Sequence, residues 1–205
     1  MNDLESLCES IEKYCLDSNV DCKREYLFLN KIELKVKIWC DEKNIGQENP
    51  SFDNKLYNRL FICFINLLCK IRDTSDEKTK ELAEEFLFTS TDISIYRFLN
   101  LKFNQNTKVL EEEIRFDNNY CSWTLIERPN YIESKMNKGN VRVTAYLKPG
   151  QYGINVSKMG FIQQHEKEIV FPFYEDSISK IDIFYYENDC EYIETIYHND
   201  CINSK

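Results

Sequence analysis

The stretch NVRVTAYLKPGQYGINVSKMGFIQQHEKEIVFPF, residues 140–173, decides the fold of the second half of this chain. It opens with the alternating apolar and polar residues of a strand, passes through the turn signal KPGQYG, and ends in a second apolar run. Four of the five glycines lie between Gly139 and Gly160, where turns between short strands need them. The pattern predicts a β-rich half made of short strands.

Two glutamates, Glu166 and Glu168, stand at the start of that second apolar run. Side chains alternate between the faces of a strand, so an extended chain would turn both carboxylates to one side. Ile169, Phe171 and Phe173 would then point to the other side. A pair of this kind is most often a solvated strand end, because carboxylates are mostly exposed. Whether this pair of carboxylates has a function therefore depends on the other motifs of the chain.

The first ninety residues have a helical pattern instead. Apolar residues recur at helical spacing in two sets: Leu4, Leu7, Cys8, Ile11 and Cys15, then Leu56, Leu60, Phe64, Leu67 and Ile71. The second helix is apolar nearly all round, so we expect it to be buried. SDEKTKELAEEFLF, residues 75–88, predicts a further helix with a serine cap. KIELKVKIWC, residues 31–40, fits either a strand or a helix, and we interpret it as a helix.

We therefore predict an α+β chain in two parts. Residues 1–90 form a helical N-terminal part that packs on the core, and residues 91–205 form the β-rich core. The clearest predicted strands of the core are NVRVTAYL, KEIVFPF and KIDIFYY.

Composition excludes several classes of function. The 26 basic and 35 acidic residues give a formal charge of −9, which disfavours a nucleic-acid partner. The nine cysteines form no C-x-x-C pair, so we expect reduced thiols in a cytoplasmic compartment. We expect neither an export signal nor a membrane span, because the start is acidic and the longest apolar run, residues 60–69, is short. Only two histidines are present, and we predict no metal site.

Two further motifs precede the glutamate pair. Tyr96 and Arg97 close a β-like run in IYRFL, and Ser122 follows an extended segment in YCSWT. Arg97 and Ser122 are 25 residues apart, and Ser122 and Glu168 are 46 apart. In order and spacing, these motifs resemble those of the mono-ADP-ribosyltransferases of the arginine-serine-glutamate class. The resemblance covers roughly residue 93 to the C-terminus.

The resemblance implies a split β-sheet core that binds NAD, as a substrate, in the cleft between its sheets. The implied reaction is a glycosyl transfer that moves ADP-ribose to a target protein, a protein of a host cell being one candidate, and releases nicotinamide. By resemblance Glu168 binds the nicotinamide ribose and stabilises its positive charge in the transition state, while Glu166 accepts the proton of the attacking group. Arg97 would bind the phosphates as a bidentate donor, and Ser122 would fix the rotamer of Glu168.

Three more residues complete the NAD contacts that the resemblance implies. Tyr96 is the aromatic residue beside the arginine, Thr124 would share the work of Ser122, and Phe161, or alternatively Tyr152, would supply the aromatic residue of the loop before the glutamates. Within the family, a glutamate at the position of Glu166 implies arginine as the acceptor. Water in place of the protein acceptor would make the chain an NAD glycohydrolase.

The sequence also departs from the family pattern and leaves alternatives open. Phe98 stands where the family has a glycine, and Cys121 replaces the first hydroxyl of the usual triplet. A catalytically inactive interaction module with the same fold is therefore an alternative, and an unrelated α+β binding protein is another. FTST, residues 88–91, with Arg59 upstream, is a second candidate for the serine motif. The target, the delivery into another cell and the oligomeric state stay open.

Overall fold

The computed structural model describes residues 9, 54–74, 76–99, 101–104, 106–107, 109–111, 114, 119–127, 141–159, 167–174, 176–185 and 191–197. Within these ranges the chain is mixed α+β, with two fully described helices and a large antiparallel sheet. Apart from Glu9, which is helical, the predicted helix at residues 4–15 and the segment 31–40 lie outside the described residues.

The helices are α1 (Asn54–Thr74) and α2 (Glu77–Phe86). The strands are β1 (Leu87–Thr89), β2 (Ser94–Leu99), β3 (Phe103–Asn104), β4 (Val109–Leu110), β5 (Tyr120–Thr124), β6 (Val141–Leu147), β7 (Tyr152–Asn155), β8 (Glu168–Pro172), β9 (Ile178–Tyr185) and β10 (Glu191–Tyr197). The predicted strands NVRVTAYL, KEIVFPF and KIDIFYY are confirmed as β6, β8 and part of β9.

Two compact units divide the chain. The first consists of residues 1–88 and 152–170, and the second of residues 89–151 and 171–205. The first unit thus combines the helices with a stretch of the β-rich half that our predicted division at residue 90 assigns to the core.

Helix α1 confirms the longer of the two predicted amphipathic patterns. Phe61, Phe64, Leu68 and Ile71 recur every three or four residues and are completely buried, so they form one continuous stripe. Ile62, on the other side, is 41% exposed. The helix is therefore amphipathic rather than buried all round, which corrects our prediction. No helix in the described ranges is long and apolar enough to cross a bilayer.

Helix α2 begins at an aspartate cap rather than at the predicted serine cap. The Asp76 carboxylate accepts hydrogen bonds from the backbone N–H of Thr79 at 3.2 Å and from the Thr79 hydroxyl at 2.9 Å. A carboxylate here also complements the positive end of the helix dipole. The helix ends at the buried Phe86, and the chain continues directly into β1.

In the first unit, the strands run in the order β1-β7-β8. β7 and β8 are antiparallel, with Ile154 opposite Val170 and Asn155 opposite Ile169. Consecutive residues Ile169 and Val170 are both completely buried, so β8 is covered on both faces. A short 3-10 turn, Val156–Lys158, follows β7.

The second unit is built on an antiparallel sheet of five strands in the order β5-β2-β6-β9-β10. β6 is its central strand and pairs with β2 on one side and β9 on the other. β10 pairs with β9, with an irregularity between Tyr192 and Glu194. β3 and β4 form a separate two-stranded hairpin.

Alternation along β6 gives this five-stranded sheet two different faces. The apolar face consists of Val141, Val143, Ala145 and Leu147 of β6 with Ile95, Ile181 and Ile183 of the neighbouring strands, none more than 4% exposed. We call the opposite face the polar face; its central residues are Arg142, Thr144 and Tyr146 of β6 and Lys180 and Asp182 of β9.

Phe64→Ala tests the buried stripe of α1. The variant removes a completely buried ring, so we expect it to lower the free energy of unfolding by about 3–5 kcal/mol. Ile62→Ala, on the exposed side of the same helix, should change it by less than about 1 kcal/mol. Urea denaturation measures both changes, and equal losses would contradict the assignment of the buried side.

Candidate functional site

Arg97 is the first of the predicted site residues. It lies in β2 opposite Val143, and it is half-buried. By alternation it leaves the strand on the same side as Ile95, on the apolar face. Among the described residues Arg97 takes part in no ion pair. A half-buried guanidinium without a counter-ion is unfavourable, and a bound anion would relieve it.

Tyr96 and Thr124 lie opposite each other where β2 meets β5. Burial, helped by the nearby carboxylate of Glu127, raises the pKa of the Tyr96 phenol. Ser122 is two residues before Thr124, so alternation puts these two hydroxyls on one face of β5. The structure therefore brings Tyr96, Thr124 and Ser122 to one side of these strands, whereas Arg97 leaves β2 on the other side.

The arginine strand β2 and the serine strand β5 are neighbours in the sheet. β2 pairs with β6 at six consecutive positions but with β5 at one described position, Tyr96 with Thr124. Elsewhere β5 is held by Trp123, whose Nε1–H donates to the Phe171 carbonyl at 3.3 Å. Arg97 and Ser122 therefore lie on neighbouring strands of one sheet.

Glu168 is the first residue of β8 and belongs to the first unit, whereas Arg97 and Ser122 belong to the second. It is half-buried and shares a strand face with the completely buried Val170. Glu166 and Phe161, the other two predicted residues, lie outside the described residues. The complete constellation therefore stays a prediction.

The residue between the two glutamates interrupts the extended chain. Lys167 has φ 43°, in the left-handed region, and β8 begins only at Glu168. This conformation costs a lysine about 1–2 kcal/mol relative to glycine. Our inference that Glu166 and Glu168 share a face required an extended chain through Lys167, and the structure does not meet that condition.

The alternative serine motif contains Ser90, which has a structural role in the second unit. Its hydroxyl donates to the Lys148 carbonyl at 2.6 Å and accepts from the Gln151 N–H at 2.8 Å. The Ser90 backbone also bonds to Gln151 and to Gly150, which has φ 80°. Ser90 is 2% exposed. Its hydrogen bonds hold the turn after β6 in place, so the burial of a hydroxyl at this position does not require a ligand. Arg59, its proposed companion, is an exposed residue of α1.

The polar face holds a second arginine, Arg142, which is only 4% exposed. Its Nη1 lies 2.7 Å from Oε1 of Glu127. Its guanidinium carbon lies 4.4 Å from the ring centroid of Phe184 and 5.8 Å from that of Tyr96. Nε of Arg142 and the hydroxyl of Thr144 are buried without a hydrogen-bond partner in the described part of the chain. One carboxylate and two aromatic rings thus compensate this buried cation.

Asp182 faces Thr144 across the pairing of β6 and β9 and is 7% exposed. Its carboxylate accepts from the Thr195 hydroxyl at 2.6 Å and from Nζ of Lys180 at 3.2 Å. Burial alone would raise the pKa of Asp182, but hydrogen bonds from Thr195, Tyr146 and Lys180 outweigh it and lower the pKa. The hydrogen bond to Asp182, with burial, raises the pKa of Tyr146 to about 12. Asp182 is therefore held as the anion and Tyr146 as the neutral phenol.

An open depression of about 460 Å³ adjoins one end of the polar face. It is lined by Asp92, Ile93, Ser94, Tyr146, Leu147, Ser179, Lys180 and Tyr197. Nζ of Lys180 lies 4.0 Å from the centroid of the Tyr146 ring and is paired with Asp182. The charge of Lys180, the cation that lines this depression, is thus already compensated by Asp182. The charge of Arg97 has no such ion pair among the described residues.

Sequence reasoning missed this polar network, although one signal for it is present. In VRVTAYL the residues Arg142, Thr144 and Tyr146 alternate strictly with apolar ones, as in a strand with two different faces. The partners Glu127 and Asp182 cannot be identified from this pattern, because Asp182 reaches β6 through strand pairing and Glu127 lies in the segment after β5.

Comparisons of the chain with protein-family models, with curated proteins and with solved structures find no match. Within the described ranges, no group of three or more His, Cys, Asp or Glu side chains is arranged to hold a metal ion. Any function has to follow from the chemistry of the chain's own residues.

Ser90→Ala tests the structural role of the alternative serine motif. Removing the hydroxyl leaves the half-buried Lys148 carbonyl and Gln151 N–H without this partner, so we expect a loss of about 1–3 kcal/mol in unfolding free energy. Ser179→Ala removes an exposed hydroxyl that donates to a single carbonyl and should cost less than about 1 kcal/mol. Chemical denaturation measures both changes in unfolding free energy. Similar small losses for the two variants would contradict the structural role of Ser90.

Asp182→Asn tests the carboxylate network. The pKa of Asp182 is lowered in the folded chain, so its ionised form stabilises the fold above its ordinary pKa of 3.8, and this contribution is lost as the pH falls through the folded pKa. We expect the variant to be about 1–3 kcal/mol less stable at pH 7, with the difference narrowing in acid. Asp176→Asn, at an exposed site, is the control. A difference independent of pH from 7 to 2 would count against an ionised Asp182.

Proposed function

We propose that the chain is an NAD-dependent mono-ADP-ribosyltransferase that moves ADP-ribose from NAD to an arginine of a target protein and releases nicotinamide. The proposed fold is a split β-sheet whose cleft binds NAD. Glu168, Glu166 and Ser122 are the proposed catalytic set, and Arg97 is the proposed phosphate ligand.

The uncompensated charge of Arg97 is the observation that carries this proposal. Arg142 has a carboxylate and two rings around it, whereas Arg97 is half-buried on an apolar face and has no ion pair among the described residues. Taking a guanidinium out of water without a counter-ion is costly, so such a position is expected where an anion binds. The pyrophosphate of NAD is an anion that a planar bidentate donor suits.

The strand order places two of the proposed residues on neighbouring strands. Arg97 lies in β2 and Ser122 in β5, and these strands pair at Tyr96 and Thr124. Alternation directs the two side chains to opposite faces of the strands. The split of the sheet that would form a cleft for NAD is therefore proposed from the resemblance.

The position of Glu168 suits a carboxylate that acts on developing charge. It is half-buried at the first residue of a strand whose next residues are completely buried, so the backbone that holds it is rigid. When the bond between nicotinamide and ribose breaks, its electron pair leaves with nicotinamide and the ribose becomes positive. A fixed, partly desolvated carboxylate is worth more at that stage than in the ground state.

The second half of the reaction assigns a role to Glu166. A guanidinium nitrogen of the target forms the new bond to the ribose carbon, and the proton that it loses goes to Glu166 as general base. If water attacks instead, the products are ADP-ribose and nicotinamide, and the same site is an NAD glycohydrolase.

Incubation with NAD labelled in its adenylate part, with an arginine-like acceptor or a cytosolic extract, tests the proposal. We expect labelled acceptor with the wild type and at least about 100-fold less with Glu168→Gln, which removes the transition-state charge. Arg97→Lys should raise KM for NAD by roughly tenfold or more through the loss of a charge-assisted bidentate contact. Ser122→Ala should lower kcat.

Two matched controls accompany these variants. Glu84→Gln and Arg59→Lys make the same chemical changes at exposed helix positions and should leave turnover within about twofold. Nicotinamide release without labelling of any acceptor would favour the glycohydrolase. An absence of turnover together with an absence of NAD binding would overturn the proposal and favour the inactive interaction module.

A further inference from the structure

We propose that the open depression beside Tyr146 and Tyr197 binds a neutral saccharide of one or two sugar units. All the residues that line it belong to the second unit. The inference is independent of the proposed function, because it concerns the polar face of the sheet, opposite to the face of Arg97, and needs no NAD.

Strand pairing places four side chains in one row at this end of the polar face. Ser94 of β2 lies opposite Tyr146 of β6. Tyr146 in turn lies opposite Lys180 of β9, and Lys180 lies opposite Tyr197 of β10. Residues directly opposite each other share a face, and neighbouring strands are about 4.8 Å apart. The row is therefore a strip about 14 Å long in which two tyrosine rings flank one lysine.

Tyr197 presents an unoccupied aromatic ring to the depression. It is 52% exposed, and among the described residues it takes part in no ring contact and no side-chain hydrogen bond. Tyr192, the other strongly exposed tyrosine of β10, differs, because its ring packs against Phe184 at 5.8 Å and its hydroxyl bonds to Thr195 at 2.7 Å. One side of a sugar ring consists of C–H groups, and these pack on an aromatic ring as other apolar groups do.

The charges around the depression favour a neutral ligand. Lys180 is the only cation among the described lining residues, and its Nζ lies 3.2 Å from Asp182 and 4.0 Å from the centroid of the Tyr146 ring. Little of its charge is thus left for an anion, which would also be repelled by Asp92. A cationic ligand would lie close to the Lys180 ammonium. Neither an anion nor a cation is therefore well matched to these charges.

The polar groups of the depression suit a ligand that carries hydroxyl groups. Asp92 is exposed and takes part in no ion pair among the described residues, so both of its oxygens are available as acceptors. The Ser179 hydroxyl donates to the Tyr146 carbonyl at 2.9 Å, which leaves its oxygen as a further acceptor. Acceptors arranged around an aromatic ring match hydroxyl groups arranged around the apolar ring of a sugar.

The size of the depression agrees with a small ligand. Its volume of about 460 Å³ lies within the range of roughly 300–1,000 Å³ that is common for small-molecule sites. Because the depression is open, one side of the ligand stays in water. We therefore expect modest affinity, with a dissociation constant of roughly 0.1–10 mM.

Titration of labelled protein with neutral sugars, followed by backbone amide chemical shifts, tests the inference. The probes are glucose, galactose, mannose, N-acetylglucosamine, maltose, cellobiose and lactose. We expect at least one of them to give saturable shifts around Ser94, Tyr146 and Tyr197. Tyr197→Ala should weaken that binding at least about tenfold through the loss of the stacked ring, whereas Tyr197→Phe, which keeps the ring, should stay within about threefold.

Matched controls use residues away from the depression. Tyr192→Ala removes an equally exposed tyrosine of the same strand and should leave binding within about twofold. Asp92→Asn should weaken binding roughly threefold or more through the loss of charge-assisted hydrogen bonds, whereas Asp176→Asn, at another exposed aspartate, should not. Melting temperatures of all variants verify that they fold.

Three results would overturn the inference. The first is an absence of saturable shifts with every sugar up to roughly 100 mM, ten times the weakest expected constant. The second is equal weakening by Tyr197→Ala and Tyr192→Ala. The third is a stronger response of the same amides to inorganic phosphate or to an arginine-rich peptide than to any sugar. None of these results depends on NAD, so a chain that fails to bind NAD is still expected to bind the saccharide.

Discussion

The architecture of the second unit depends on one constraint, the burial of the Arg142 guanidinium within a central strand. β6 is covered on both faces, so a cation on one of them has to be compensated by its neighbours. Glu127 and the rings of Phe184 and Tyr96 do this. Asp182 forms a second buried network opposite Thr144, two residues after Arg142 in β6. Tyr96 and Phe184 come from the strands on either side of β6, and Glu127 comes from the segment after β5, so the compensation links these parts of the chain.

The two arginines of adjacent strands illustrate how a structural charge differs from a functional one. Arg142 is almost completely buried, and Glu127 and two aromatic rings already compensate its charge. Arg97 leaves the neighbouring strand on the opposite face, half-buried and without an ion pair among the described residues.

Periodicity in the sequence was enough to predict α1, α2 and the strands β6, β8 and β9, because burial of one side leaves a regular pattern. The pattern could not show that Asp76 rather than Ser75 caps α2, since both residue types suit the position. It could not reveal the polar network either, because Asp182 meets Thr144 only through strand pairing. The turn at Lys167 also escaped prediction, because a lysine gives no signal of positive φ. Arg97 and Glu168 were correctly expected on strands, while their assembly into one site stays a prediction.

The most direct test of NAD binding by Arg97, Ser122 and Glu168 is a titration of isotopically labelled protein with NAD, followed by backbone amide chemical shifts. We expect saturable shifts in three separate segments, around Arg97 in β2, around Ser122 in β5 and at Glu168 where β8 begins, and we expect these shifts to weaken in Arg97→Lys. An absence of shifts up to roughly 5 mM NAD, well above ordinary substrate constants, would contradict it. Shifts confined to the depression beside Tyr146 and Lys180 would contradict it as well, because NAD would then bind a different face of the sheet.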